Sequence, residues 1–150
     1  MGSVADLLGE RAYLDANIVI YFMEGGSPFS AVIDALAMES AAKRVACRTS
    51  LLTLTEVLAG MAQDEDPGPV QRVVDFFEDG GFFETLETTP KAFFLAGIAR
   101  GRMRIKTPDA LHLATALDHD YRYFLTNDRR LRSPWPERLA VVQIGDLSRA

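Results

Sequence analysis

Four acidic residues of this 150-residue chain stand where carboxylates could act together: Asp15, Glu56, Asp109 and Asp128. Asp15 closes the apolar run "RAYLD", Glu56 lies in "TSLLTLTEVLAGMAQ", Asp109 in "TPDALHLATA", and Asp128 follows "YRYFLT". All four are at strand-to-helix transitions or helix starts. Carboxylates gathered in one place repel, by about 4 kcal/mol for two unit charges about 4 Å apart at an effective dielectric near 20. Such a cluster must take up protons or bind cations. An all-oxygen donor set suits a hard divalent ion, Mg2+ or Mn2+. Taken singly, each acid also has a local reason to be there. Asp15 can cap the helix that begins near Asn17, and Glu56 completes a capping-box pattern with Thr53 in "TLTE". Asp109 favours a helix N-terminus electrostatically, and Asp128 fits a turn after Asn127.

What decides between these readings is the arrangement of the elements that carry the acids. "RAYLD" reads as a buried strand, followed by a helix "ANIVIYFMEG" that stops at Gly25 and Gly26. "SPFSAVIDALAMESA" reads as a second helix with Ser27 as cap and Pro28 at its first position. "RVACR" is a second strand, "TSLLTLTEVLAGMAQ" a helix, "DEDPGP" a loop, and "VQRVVDFFEDG" another helix. "FFETLE" reads as a short strand and "TPKAFFLAGIARGRMRI" as a long helix. In the next segment Thr107 supplies a capping hydroxyl, Pro108 the first helical position, and the apolar body that follows reads as buried. "YRYFLT" and "AVVQI" are strands separated by the loop "NDRRLRSPWPERL". Helices between successive strands imply a mostly parallel sheet covered on both faces, a three-layer α/β/α sandwich in one domain, residues 1–150, with residues 1–10 a variable lead-in. In such a sheet the C-terminal ends of the strands share one edge, where ligands bind. The four acids are therefore expected to converge.

Composition agrees with a globular protein: 48% hydrophobic, 25% charged, and no apolar run long enough for a membrane span. A single cysteine, Cys47, excludes an internal disulfide and suits a reducing cytoplasm. Within "KRVACRTS" it reads as a small buried hydrophobe rather than a nucleophile. The net charge of −5 is unevenly spread. Residues 1–99 hold 6 basic and 15 acidic side chains, whereas residues 100–150 hold 10 basic and 6 acidic. The basic groups concentrate in "RGRMRIK" and "NDRRLR", which is compatible with either a solvated face or a local polyanion site.

Four segments in order resemble the motifs of the PIN-domain family of metal-dependent ribonucleases. "YLDANIVIY" is similar to its opening strand and Asp-x-Asn motif, and "TLTEVLAG" to its glutamate helix. "TPDALHLATA" is similar to its third-acid helix and "FLTNDRRL" to its Thr-x-Asp or Thr-x-Asn strand ending. The small size resembles the VapC-like toxins of type II toxin–antitoxin pairs, although the lead-in before Asp15 is longer than the family's usual start. The resemblance implies that Asp15, Glu56, Asp109 and Asp128 hold Mg2+ or Mn2+ for hydrolysis of RNA phosphodiester bonds. Asp15 and Asp109 would bind directly, Glu56 through water or by positioning the nucleophile, and Asp128 outermost. Asn17 and Thr126 would orient the site by hydrogen bonds, and Arg129 and Arg130 would take flanking phosphates. It further implies a cognate antitoxin protein as partner and a homodimer in the cytoplasm, with no membrane attachment. The apolar helix "ANIVIYFMEG" is either buried in the domain or, by the resemblance, part of a groove for an antitoxin segment.

With two histidines and one cysteine, a zinc site is poorly supported. His112 shares a helix face with Asp109, three residues away, and reads as buried or as a support to the site; His119 reads as solvated at a helix end. Two alternatives stay open beside the toxin: an RNA-processing nuclease of the same fold without an antitoxin, and a non-catalytic α/β binding module whose acids only cap helices.

Overall fold

The computed structural model describes residues 1–63, 65–79 and 84–150. Its centre is a five-stranded, all-parallel sheet ordered β3-β2-β1-β4-β5, formed by β1 (Arg11–Leu14), β2 (Ala46–Ser50), β3 (Glu84–Leu86), β4 (Tyr123–Thr126) and β5 (Ala140–Gln143). Six α-helices accompany it among the described residues: α1 (Ala16–Glu24), α2 (Ser30–Ala41), α3 (Leu51–Met61), α4 (Pro67–Glu78), α5 (Pro90–Met103) and α6 (Thr107–Asp118). The strand alternation divides the core. Ala12, Leu14 and Leu125 face one side with Ile18, Val19, Ile33 and Leu36 of α1 and α2. Tyr13 and Phe124 face the other with Leu113, Ala116 and Leu117 of α6. Small residues, Ala92 and Ala96 against Ala110 and Ala114, let α5 and α6 approach closely. The expected α/β/α layering is therefore observed, and the sheet is parallel throughout its described strands. Among the described residues no helix is long and apolar enough to cross a membrane.

The lead-in is tied into the domain. Residues Val4–Leu7 form a 3-10 turn whose Val4 and Leu7 are buried in the core, and Val4 N donates to Ser148 O at 3.0 Å. Cys47 is fully buried, and burial pushes its thiol up to about 12, as expected of a packed hydrophobe. α1 stops where Gly25 adopts φ 69° and ψ 178°, a conformation that favours glycine. Its residues divide between the two readings: Ile18 and Val19 are buried, whereas Tyr21, Phe22 and Met23 are only partly covered.

Several helix starts lie away from their expected places. Ser27 closes a separate turn, accepting Phe29 N at 3.2 Å, and α2 begins at Ser30. Asp66, within the expected loop "DEDPGP", caps α4 by accepting Gly68 N, with Pro67 at its first position; Asp64 lies outside the described residues. The cap of α3 is Ser50, which accepts Leu52 N at 3.3 Å. Thr53 and Glu56 therefore lie inside that helix, and the expected capping box is absent. Thr53 instead donates to Thr49 Oγ1 at 2.6 Å, and Thr49 donates to the Leu14 carbonyl. α6 starts one residue earlier than expected: Lys106 holds the cap position without a side-chain bond, so Thr107 and Pro108 are already helical. The expected strand "FFETLE" begins at Phe82 and Phe83, outside the described residues; β3 covers Glu84–Leu86.

Candidate active site

β1 lies at the middle of the sheet, with the chain running outward to β2 and β3 on one side and to β4 and β5 on the other. The crevice beyond the C-terminal ends of β1 and β4 is thus the point where strand order reverses, the usual ligand position in such sheets. Asp15 follows directly on β1 and caps α1, its Oδ1 accepting Ala16 N at 2.8 Å. Oδ2 accepts Thr126 Oγ1 at 2.7 Å and Asn17 Nδ2 at 3.4 Å. Thr126 Oγ1 itself accepts from Asn17 Nδ2 (3.2 Å) and from the amide of Asp128 (3.1 Å), and Asn17 Oδ1 accepts Asn127 N at 3.1 Å. Asn17 and Thr126 thus knit the ends of β1 and β4 around the Asp15 carboxylate. Burial raises that carboxyl above its ordinary value of 3.8, and the proximity of His112, with the bonds from Thr126 and Ala16, offsets this only in part.

Asp109 enters from the first turn of α6. Among the described residues its carboxylate receives no hydrogen bond and no ion pair. Burial raises its carboxyl first, then the negative charge of Asp15, with Asp128 and Glu56 adding less and His112 acting in the opposite direction. Glu56 reaches in from the second turn of α3, its Oε1 2.7 Å from His112 Nε2. Asp128, in the turn after β4, accepts the amide of Arg130 at 2.9 Å and pairs with its guanidinium at 3.6 Å. The other three acids are near enough to act on Asp109 electrostatically. Among the described residues, however, no three histidine, cysteine or acidic side chains already stand in a group that could hold an ion. Three of the four carboxylates are turned to protein donors: Asp15 to Thr126, Glu56 to His112 and Asp128 to Arg130.

Basic side chains border this crevice. A depression of about 260 Å³ is lined by Asp109 and Asp128 together with Arg104, Lys106, Arg130 and Arg132. Arg104 ends α5 in the left-handed conformation at φ 55°, and the chain reverses there towards Lys106 and α6. Two basic segments separated in sequence therefore share one rim. Arg130 is almost fully exposed. Arg129 is committed elsewhere, donating to Asp146 Oδ1 at 3.0 Å.

Sequence reasoning missed the network behind Glu56. His112 is fully buried, and its Nδ1 lies 2.6 Å from the Tyr13 hydroxyl. The spacing of Asp109 and His112, one helical turn apart, was the available signal; nothing local pointed to Tyr13. His119 is partly buried rather than solvated, since its Nε2 donates to the Glu87 carbonyl at 2.7 Å.

The sequence matches the family model described as PIN domain over residues 12–134, which include all four acids. No curated protein matched the chain. Among solved structures, VapBC2 from Rickettsia felis bound to a DNA fragment from its promoter is similar at TM-score 0.67 and 18% identity. That match covers 89% of this chain and 98% of the other. A toxin–antitoxin complex from Klebsiella pneumoniae is similar at 0.64 and 22%, covering 89% and 97%. FitAcB from Neisseria gonorrhoeae is similar at 0.65 and 20%, covering 89% and 98%.

Proposed function

The chain belongs to the PIN domain family, whose members are generally nucleases, and on that premise we propose that it is a Mg2+- or Mn2+-dependent endoribonuclease, the toxin of a type II toxin–antitoxin pair. One observation carries the reading: a partly buried Asp109 carboxylate, without a protein donor among the described residues, faces the charges of Asp15, Asp128 and Glu56. That is an all-oxygen donor set in which the Asp109 carboxylate has no protein partner among the described residues, which fits a hard divalent cation. Asp15 and Asp109 would hold it directly, and Asp128 and Glu56 would complete the set from farther out. When bound, such an ion supplies charge to neutralise a phosphate oxygen and acidifies a water molecule. The remaining work belongs to the chain. Glu56, with Oε1 held by His112 and Oε2 without a partner among the described residues, positions the attacking water. Thr126 and Asn17 keep the Asp15 carboxylate aimed at the crevice. No nucleophilic side chain is required.

An antitoxin partner is supported by the similarity to toxin–antitoxin complexes, and the partly covered Tyr21, Phe22 and Met23 of α1 offer it an apolar contact. A homodimer, acting in the cytoplasm, belongs to the same reading; α5 exposes Phe93 and Phe94, a pair suited to burial between copies. The test is cleavage of single-stranded and structured RNA by the purified chain. Cleavage is expected with Mn2+ or Mg2+ and is expected to stop with EDTA. Absence of cleavage in either condition, together with a thermal midpoint that Mn2+ leaves unchanged, would support the binding module instead.

The basic rim gives a second expectation. Arg104, Lys106, Arg130 and Arg132 would seat phosphates flanking the scissile bond, with a smaller share for Arg129 because Asp146 already neutralises it. Fluorescence anisotropy with single-stranded RNA and an inactive protein reads this directly. Arg130→Ala should weaken binding and reduce the slope of log affinity against log salt by about 0.7 for each phosphate no longer neutralised. Arg129→Ala should change it less. An unaltered slope in the Arg104→Ala, Arg130→Ala double variant would remove the rim from the binding site.

A further inference from the structure

Glu56 reaches the crevice on a long side chain that is 37% exposed, and a glutamate left to solvent samples many rotamers. Here it is anchored from behind. Its Oε1 meets Nε2 of the fully buried His112 at 2.7 Å. Nδ1 of that ring lies 2.6 Å from the Tyr13 hydroxyl, which lies 2.8 Å from Ser50 Oγ. Ser50 is itself fixed as the cap of α3, accepting Leu52 N. Tyr13 is fully buried, stacked on Phe124 with ring centroids 5.2 Å apart and edge-on to His112 at 5.7 Å.

The chain of bonds closes in one direction with every proton placed. Ser50 donates to Tyr13, Tyr13 donates to Nδ1, and the Nε2–H donates to Glu56. In the opposite direction, with the ring proton on Nδ1 alone, a bare Nε2 lone pair would face the carboxylate.

From this geometry we infer that His112, fixed by Tyr13, is the positioning residue that aims the Glu56 carboxylate into the crevice between Asp15 and Asp109. The inference rests on the nuclease reading of that crevice, which gives Glu56 something to act on. α6 then serves the site twice: Asp109 enters it directly, and His112, one turn further on, sets the acid contributed by α3. The bond also joins two helices that are far apart in sequence, so the orientation of Glu56 depends on their packing as well as on its own rotamer.

The experiment has a metal-free arm and a metal-bound arm. In metal-free protein, nitrogen-15 imidazole spectra should show a proton on His112 Nε2; a bare Nε2 overturns the inference. In the second arm, Tyr13→Phe keeps the ring and removes only the hydroxyl. It is expected to lower Mn2+ affinity by calorimetry, and kcat, by about tenfold while leaving KM for RNA nearly unchanged. In a Glu56→Ala background the same substitution should change Mn2+ affinity by no more than about twofold, because its effect passes through Glu56. Equal losses in both backgrounds, or none in either, overturn the inference while leaving wild-type cleavage, and hence the nuclease reading, standing. A wild type that neither binds Mn2+ nor cleaves RNA overturns the nuclease reading and the positioning role together. Should Tyr13→Phe fold poorly, His112→Gln carries the same comparison.

Discussion

Asp15→Asn is expected to reduce RNA cleavage about a thousandfold while leaving the protein folded. The size follows from what the carboxylate would hold: a Lewis-acidic ion stabilises transition-state charge by several kcal/mol, and about 4 kcal/mol corresponds to about 10³ in rate. Survival of the fold follows from the cap. Asparagine is as good an N-cap as aspartate, so the bond to Ala16 N and the start of α1 persist. The cost falls on Thr126, whose hydroxyl oxygen already accepts from Asn17 and from the Asp128 amide, so its proton must go to Asp15 Oδ2. An amide nitrogen placed there would leave that proton without an acceptor, at about 1–3 kcal/mol. Removing a charge that burial disfavours works in the opposite direction. The thermal midpoint should therefore fall modestly, while cleavage under saturating Mn2+ falls by orders of magnitude. If cleavage persisted within about tenfold of wild type, one order of magnitude or about 1.4 kcal/mol, the site would have to be elsewhere.

The observed cap and the proposed functional role of Asp15 do not compete, which explains how much of this candidate site could be read from sequence. A parallel α/β sheet delivers strand ends and helix starts to one edge, so residues suited to helix N-termini are carried to the crevice by the same geometry. Asp15, Asp109 and Asp128 were legible for that reason. Glu56 lies in the expected helix, but its local alternative, a capping box with Thr53, fails: Thr53 bonds to Thr49, Thr49 reaches the Leu14 carbonyl, and the cap is Ser50. Helix starts drifted where proline and hydroxyl residues offered two adjacent solutions, as at Ser27–Ser30 and Lys106–Pro108, because the local preferences differ little and packing decides. What the sequence could not display was contact between distant segments. Tyr13 and His112 look like ordinary core residues, and their bond exists only because β1 and α6 pack against each other. The convergence of "RMRIK" with "DRRLR" on one rim is of the same kind, since it depends on the chain reversal at Arg104.

Asp109→Asn should separate function from stability more sharply than any other change: cleavage falls about a thousandfold, yet the metal-free protein becomes more stable. Two local effects oppose each other. The acid favours the start of α6 by about 0.3–1 kcal/mol through the helix dipole. Against this stand its partial burial and the charges of three carboxylates, which together outweigh the opposing influence of His112 and raise its carboxyl above the ordinary 3.8. Even at about 8 Å, a single such pair at an effective dielectric near 20 repels by about 2 kcal/mol before further screening. Repulsion wins, and a net gain of about 1 kcal/mol would raise the midpoint of a chain this size by about 2–4 °C. The same imbalance fixes the pH dependence. A carboxyl whose folded-state pKa lies above its unfolded value binds its proton more tightly when folded, so it costs no stability below about pH 4 and exacts its full penalty only above its raised pKa. Metal-free wild type should therefore lose stability as pH rises from about 4 through the raised values of Asp15 and Asp109. Asp109→Asn should lose less, because only Asp15 still contributes. At neutral pH, Mn2+ should restore the wild type and do little for the variant, since the ion binds the folded carboxylates and relieves the repulsion that the variant no longer has. Thermal melts of both proteins across that pH range, with and without Mn2+, measure all of this. A variant that melts below wild type at neutral pH, with an unchanged pH slope, would show that Asp109 is not held against its neighbours and that the four acids do not form one electrostatic unit.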